Sequence, residues 1–177
     1  GTMARLPDLI EFGKKHGIKI GTIADLIHFR SRTETLVKRT YSKPVKSAHG
    51  EFMLHAFTDI SSNEVHLALA KGEISPEREA LVRVHEPLSV LDFLDPASGS
   101  HTFSLDQAQR ALAAAESGVI VLLRRPQSDD DIAAFFSAPT PAPRQAKKWD
   151  PRLYGIGAQI LRDLGVRKMK LLASPRK

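Results

Sequence analysis

Cysteine is absent from all 177 residues. That single fact excludes disulfides, thiolate nucleophiles, zinc ribbons and iron–sulfur clusters. Aromatic residues are scarce at 6%, with one tryptophan, Trp149, which leaves little for the stacking platforms that single-stranded nucleic acid uses. No helix-turn-helix, RNP-like or OB signature appears, so nucleic acid is not an expected partner. No apolar run reaches the ~18 residues of a membrane span. No charged stretch followed by an apolar h-region opens the chain, and the expectation is a cytoplasmic protein without membrane contact.

What is present is enough for one folded domain: 42% hydrophobic residues against 26% charged. Lysine and arginine outnumber aspartate and glutamate by 26 to 20, a net charge of +6, which favours anionic partners such as phosphorylated metabolites. The basic residues gather in Arg30–Lys46, Arg144–Lys148 and Arg162–Lys177, where a solvated surface is the plainer explanation. Gly1-Thr2-Met3 reads as the remnant of a cloning tag.

The pattern opens helical. Leu6, Leu9, Ile10 and Phe12 fall near helical spacing, and Gly17 suits a C-cap. Thr22 suits the N-cap of a second helix carrying Ile23, Leu26 and Ile27, followed by a polar linker over 31–35. The period then shortens. Leu36–Val45, Glu51–Phe57, Val65–Ala70 and Ala80–His85 are short alternating or β-branched segments between turn signals, which predicts meandering antiparallel strands.

Beyond His85 helices and strands alternate. Ser104 caps an amphipathic stretch that stops at Gly118, and Val119–Leu123 is a continuous apolar run, as in a strand buried on both faces. Asp129–Phe136 reads as a short helix with an acidic first turn. Residues 137–149, with three prolines, read as a loop; a helix over Leu153–Leu164 and a strand over Lys168–Leu172 follow. The fold class is therefore α+β (mixed α/β): a helical arm, an antiparallel sheet, then alternating helices and strands.

Three stretches carry a family resemblance. Residues 4–30 (ARLPDLIEFGKKHGIKIGTIADLIHFR) resemble the final segment of 3,4-dihydroxy-2-butanone 4-phosphate synthase where it precedes a fused second domain. LVRVHE (81–86) resembles the Arg-Val-His-Ser-Glu strand of GTP cyclohydrolase II. DPRLYGIGAQILRDLGVRKMKLLASP (150–175) resembles that family's Asp-x-Arg motif with the helix and strand after it. The resemblance implies a division into 4–35, the tail of the synthase domain with its linker, and 36–177, a GTP cyclohydrolase II-like domain. It also implies a riboflavin-biosynthesis protein in which the two halves are fused, an upstream synthase domain as partner, and a homodimer.

It further implies a zinc site that this chain does not reproduce. The family holds zinc through three cysteine thiolates, one just after the Arg-Val-His-Ser-Glu strand and a Cys-x-Cys pair further on, leaving a position open to activate water. The first of these falls near Leu88 and the pair falls in Ala97–Ser104. No metal and no cofactor are therefore expected, since His85 and His101 lack a ligand-spaced partner. The family's nucleotide loop is replaced by Arg124-Arg125-Pro126-Gln127-Ser128-Asp129-Asp130-Asp131, whose three aspartates would oppose a triphosphate, although capping a helix N-terminus is the better reading of them.

Other site residues match the family's. Asp150 and Arg152 match the Asp-x-Arg pair, a proton acceptor and a proposed nucleophile; Asp150 equally suits a cap on a helix starting at Pro151. Arg83, His85 and Glu86 match the nucleotide-handling strand with one serine missing, and Lys177 matches a lysine after the final turn. A phosphorylated nucleotide thus stays open as a ligand. Gly155-x-Gly157 lies within a helix and is no phosphate loop. The expectation is a degenerate GTP cyclohydrolase II-like domain that supports the synthase by structure or regulation. The alternative is an active hydrolase that opens the ring of GTP through Asp150 and Arg152.

Overall fold

The computed structural model describes residues 3–88, 103–124 and 151–173. Its elements are α1 (Leu6–His16), α2 (Ile23–Thr33), β1 (Val37–Ser47), β2 (Gly50–Asp59), β3 (Val65–Lys71), β4 (Glu79–Leu88), α3 (Leu105–Ala114), β5 (Gly118–Arg124), α4 (Pro151–Asp163) and β6 (Lys168–Leu171). The expected helix over Asp129–Phe136 and the loop 137–149 lie outside the described residues.

Local signals place the helices. Gly17 ends α1 in the left-handed region at φ 63°, and Thr22 caps α2, accepting from the Asp25 N–H while Asp25 accepts from the Thr22 N–H. Ser104 and Gln107 make the same reciprocal pair at the start of α3. Two boundaries differ from the sequence reading. The polar stretch 31–35 is helical to Thr33, whose hydroxyl donates to the Phe29 carbonyl while Arg30 and Glu34 pair across one turn. Helix α3 stops at Ala114 rather than running to Gly118, and Lys71 Nζ donates to the freed carbonyls of Ala113 and Ala115.

The six strands form one sheet in the order β1-β2-β3-β5-β4-β6. Strands β1, β2, β3 and β5 pair antiparallel, whereas β4 runs parallel to both β5 and β6. The mixed α/β class holds, but the expected meander ends at β3. Strand β4 does not pair with β3, because β5 inserts between them after a crossover through α3, as two parallel strands require.

Alternation along β5 shows the layering. Val119, Val121 and Leu123 pack with Leu153, Ile156 and Ile160 of α4, while Ile120 and Leu122 pack with Leu105, Ala108 and Leu112 of α3. The sheet is thus covered by α3 on one face and α4 on the other, and β5 is buried on both. The α4 packing does not depend on Gly157: a Cβ there would lie 3.7 Å from Leu123 and 3.9 Å from Val84, ordinary contact and no more. Helix α2 lies against α4. Both arm helices expose apolar side chains, among them Leu6, Phe12, Ile23, Leu26 and Phe29.

Candidate functional site

The connections determine where a site sits. After β4 the chain crosses to α3 on one face; after β5 it goes to α4 on the other. Two adjacent parallel strands followed by helices on opposite faces mark the usual place of a ligand crevice in open α/β sheets, beyond the strands' carboxyl ends. That end gathers His85 and Glu86 of β4, Arg124 of β5, the first turn of α4 with Arg152, and His66 at the start of the antiparallel neighbour β3.

Arg83 and His85 alternate with the core residues Val82 and Val84 and so face the α3 side. The half-buried Arg83 guanidinium donates from Nη1 to the Leu172 carbonyl at 2.9 Å and from Nη2 to the Phe103 carbonyl at 3.5 Å, with its Cζ 5.9 Å from the centre of the Phe103 ring. Its Nε is buried without a hydrogen bond among the described residues. Burial pushes its pKa down, and among the described residues no carboxylate pairs with it. A guanidinium held by two neutral carbonyls keeps its charge available to an anion. His85 is fully buried two residues on.

Arg152 is exposed on the first turn of α4, across the sheet from Arg83 but at the same end. Asp150 and Lys177 lie outside the described residues, as do the aspartates of 129–131 and Trp149. The structure therefore brings Arg83 and His85 together, puts Arg152 at the other lip, and leaves the Asp150–Arg152 pair as an expectation.

One residue of this end is missing from the sequence reading. His66 sits in a segment that reads only as an apolar strand, yet it is fully buried on the α4 face beside Ala68 and Ala70. Its Nδ1 accepts the Arg124 backbone N–H at 3.1 Å, and its Nε2 is buried without a partner among the described residues. Burial lowers its pKa, Asp59 and Glu64 oppose that shift, and Arg152 adds to it. The available signal was a histidine at an inward-facing position of an otherwise apolar strand.

The three thiolates that hold the zinc implied by the resemblance have no counterpart in this chain. No residue supplies a thiolate, and no three His, Asp or Glu side chains converge as metal ligands among the described residues. No helix among them is long and apolar enough to cross a membrane.

The family model for GTP cyclohydrolase II matches residues 38–177. The chain belongs to the GTP cyclohydrolase II family. A Neisseria meningitidis serogroup B protein named 3,4-dihydroxy-2-butanone 4-phosphate synthase is 48% identical over 176 residues, covering 99% of this chain and 47% of that protein. The Aquifex aeolicus riboflavin biosynthesis protein RibBA is 41% identical over 189 residues, covering 100% of this chain and 47% of its own length. Among solved structures, RibBX of A. baumannii, titled a two-domain 3,4-dihydroxy-2-butanone 4-phosphate synthase, superposes with a TM-score of 0.69 at 37% identity, covering 100% of this chain and 46% of that one. The chain thus spans about half the length of the relatives it matches.

Proposed function

We propose that this chain is a GTP cyclohydrolase II-family domain without zinc-dependent GTP hydrolysis, serving a riboflavin-biosynthesis synthase as a structural or regulatory partner. The carrying observation is a family scaffold over 38–177 in a chain with no cysteine. Without a metal to polarise water, opening a purine ring forgoes several kcal/mol of transition-state stabilisation. The relatives' names support the same reading. Proteins 48% and 44% identical to nearly the whole of this chain are named for the synthase reaction alone.

The exposed apolar side chains of α1 and α2 fit a seat on the synthase half, since such a surface is rarely left to water. Residues 4–35 then belong to the synthase and 36–177 to the cyclohydrolase-like domain, with two copies forming a homodimer. The available charge of Arg83 suits a phosphorylated nucleotide as a regulatory ligand, and Arg152 adds a second cation at that end. The test compares the two-domain protein with a version lacking residues 36–177. Loss of synthase activity, thermal stability or dimer in the shortened protein supports the proposal. Unchanged assembly, stability and activity contradict it.

A further inference from the structure

The crevice end contains one contact that ties a buried side chain to the backbone of the site. The Arg124 N–H belongs to the last residue of β5, which is in register with Leu88 of β4 on one side but lies beyond the last β3 partner at Leu122 on the other, so the β3 ladder no longer holds that N–H. His66 Nδ1 takes that N–H at 3.1 Å. An imidazole accepts through Nδ1 only when that nitrogen carries no proton, so the proton sits on Nε2. Since Nε2 is buried without a partner among the described residues, the bond to Arg124 is the one among them that orients the ring.

We propose that His66 is a positioning residue of this site: neutral, it anchors the Arg124 amide at the end of β5, and protonation in acid releases that hold. A protonated ring has no acceptor to offer, so the bond is lost rather than weakened. The charged surroundings are divided. Asp59 of β2 and Glu64 of the β2–β3 turn favour the charged ring, whereas Arg152 of α4 opposes it. Phe57, its register partner on β2, is apolar and fully buried. Burial acts first and favours the neutral ring, which keeps the anchor engaged at neutral pH. The unfolded chain protonates this histidine near its ordinary value of 6.5. The anchor's contribution is therefore full above that value and falls as pH drops through the lower folded value. The proposal concerns the backbone at the crevice and holds whether or not the crevice binds a nucleotide.

Amide hydrogen exchange at Arg124, corrected for intrinsic rates and followed from about pH 8 to pH 5, tests it in the full chain. Protection at Arg124 is expected to fall about tenfold on acidification while Ile120 in mid-strand is unchanged. His66→Leu removes the acceptor and should expose Arg124 across the range. His66→Gln keeps a carbonyl acceptor and should hold Arg124 without the acid loss. Protection in His66→Leu equal to the native level, or native protection flat across the range, overturns the proposal. If His66→Leu does not fold, His66→Gln decides: an acid loss at Arg124 that persists there cannot come from His66.

Discussion

The side-chain amide of Gln159 clasps the backbone on either side of Thr35: its Oε1 accepts from the Leu36 N–H at 2.7 Å while its Nε2 donates to the Glu34 carbonyl at 2.7 Å. One residue of α4 thus holds the connection between the helical arm and the sheet, and the Arg39–Asp163 pair reinforces it at 3.0 Å. Gln159→Ala is expected to cost about 1–2 kcal/mol in urea unfolding, since it leaves two backbone groups to find water. The change should also raise exchange at Leu36 without affecting β5. An unaltered midpoint would show that the arm is held by packing alone.

Gly118 opens β5 where α3 and β4 converge. A Cβ there would sit 2.3 Å from the Leu81 carbonyl oxygen and 2.8 Å from Leu112 Cδ1, and backbone cannot swing aside as a side chain does. Gly118→Ala should therefore destabilise by about 3 kcal/mol, seen as a lower Tm. A Tm within a degree or so of the native protein's would contradict that close approach.

Asp59 closes the β2–β3 turn from a fully buried position, where Oδ1 accepts from the Ser61 N–H, the Ser61 hydroxyl and the Ser62 N–H. Burial disfavours its charge, but these donors outweigh it and hold the carboxyl below its ordinary 3.8. A lowered carboxylate stabilises the fold above the unfolded value and loses that contribution as pH falls through the folded value. Asp59→Asn should flatten the loss of stability below about pH 4, and Asp59→Ala should cost about 1–3 kcal/mol at neutral pH. An acid limb in Asp59→Asn as steep as the native one would mean that other carboxylates govern it.

Much of this fold is legible in the residues. The capping pairs Thr22–Asp25 and Ser104–Gln107 are local and read directly, and the run Val119–Leu123 announces a strand buried on both faces. The placement of β4 is not legible, because Ala80–His85 alternates as the meander strands do. Only the insertion of β5, some forty residues downstream, turns β4 into a parallel strand. The site is less legible still. Arg83 and His85 stand out through family likeness, but His66 acquires meaning only when β3 lies beside the end of β5.

The proposed anion contact falls to Arg83. Inorganic pyrophosphate should raise the native Tm through binding to the folded state alone, and more at low salt than at high. Arg83→Met, which keeps the packing against Phe103 and removes the charge, should abolish that rise. An equal rise in the variant would move the anion elsewhere on this cationic chain.

The central claim is that the cyclohydrolase scaffold no longer performs the zinc reaction, and one purified sample tests it: metal content measured together with GTP turnover at millimolar GTP. The account predicts no bound zinc and no release of formate or pyrophosphate. Stoichiometric zinc with turnover would contradict it, since histidine and carboxylate ligands would then have rebuilt the site without a thiolate.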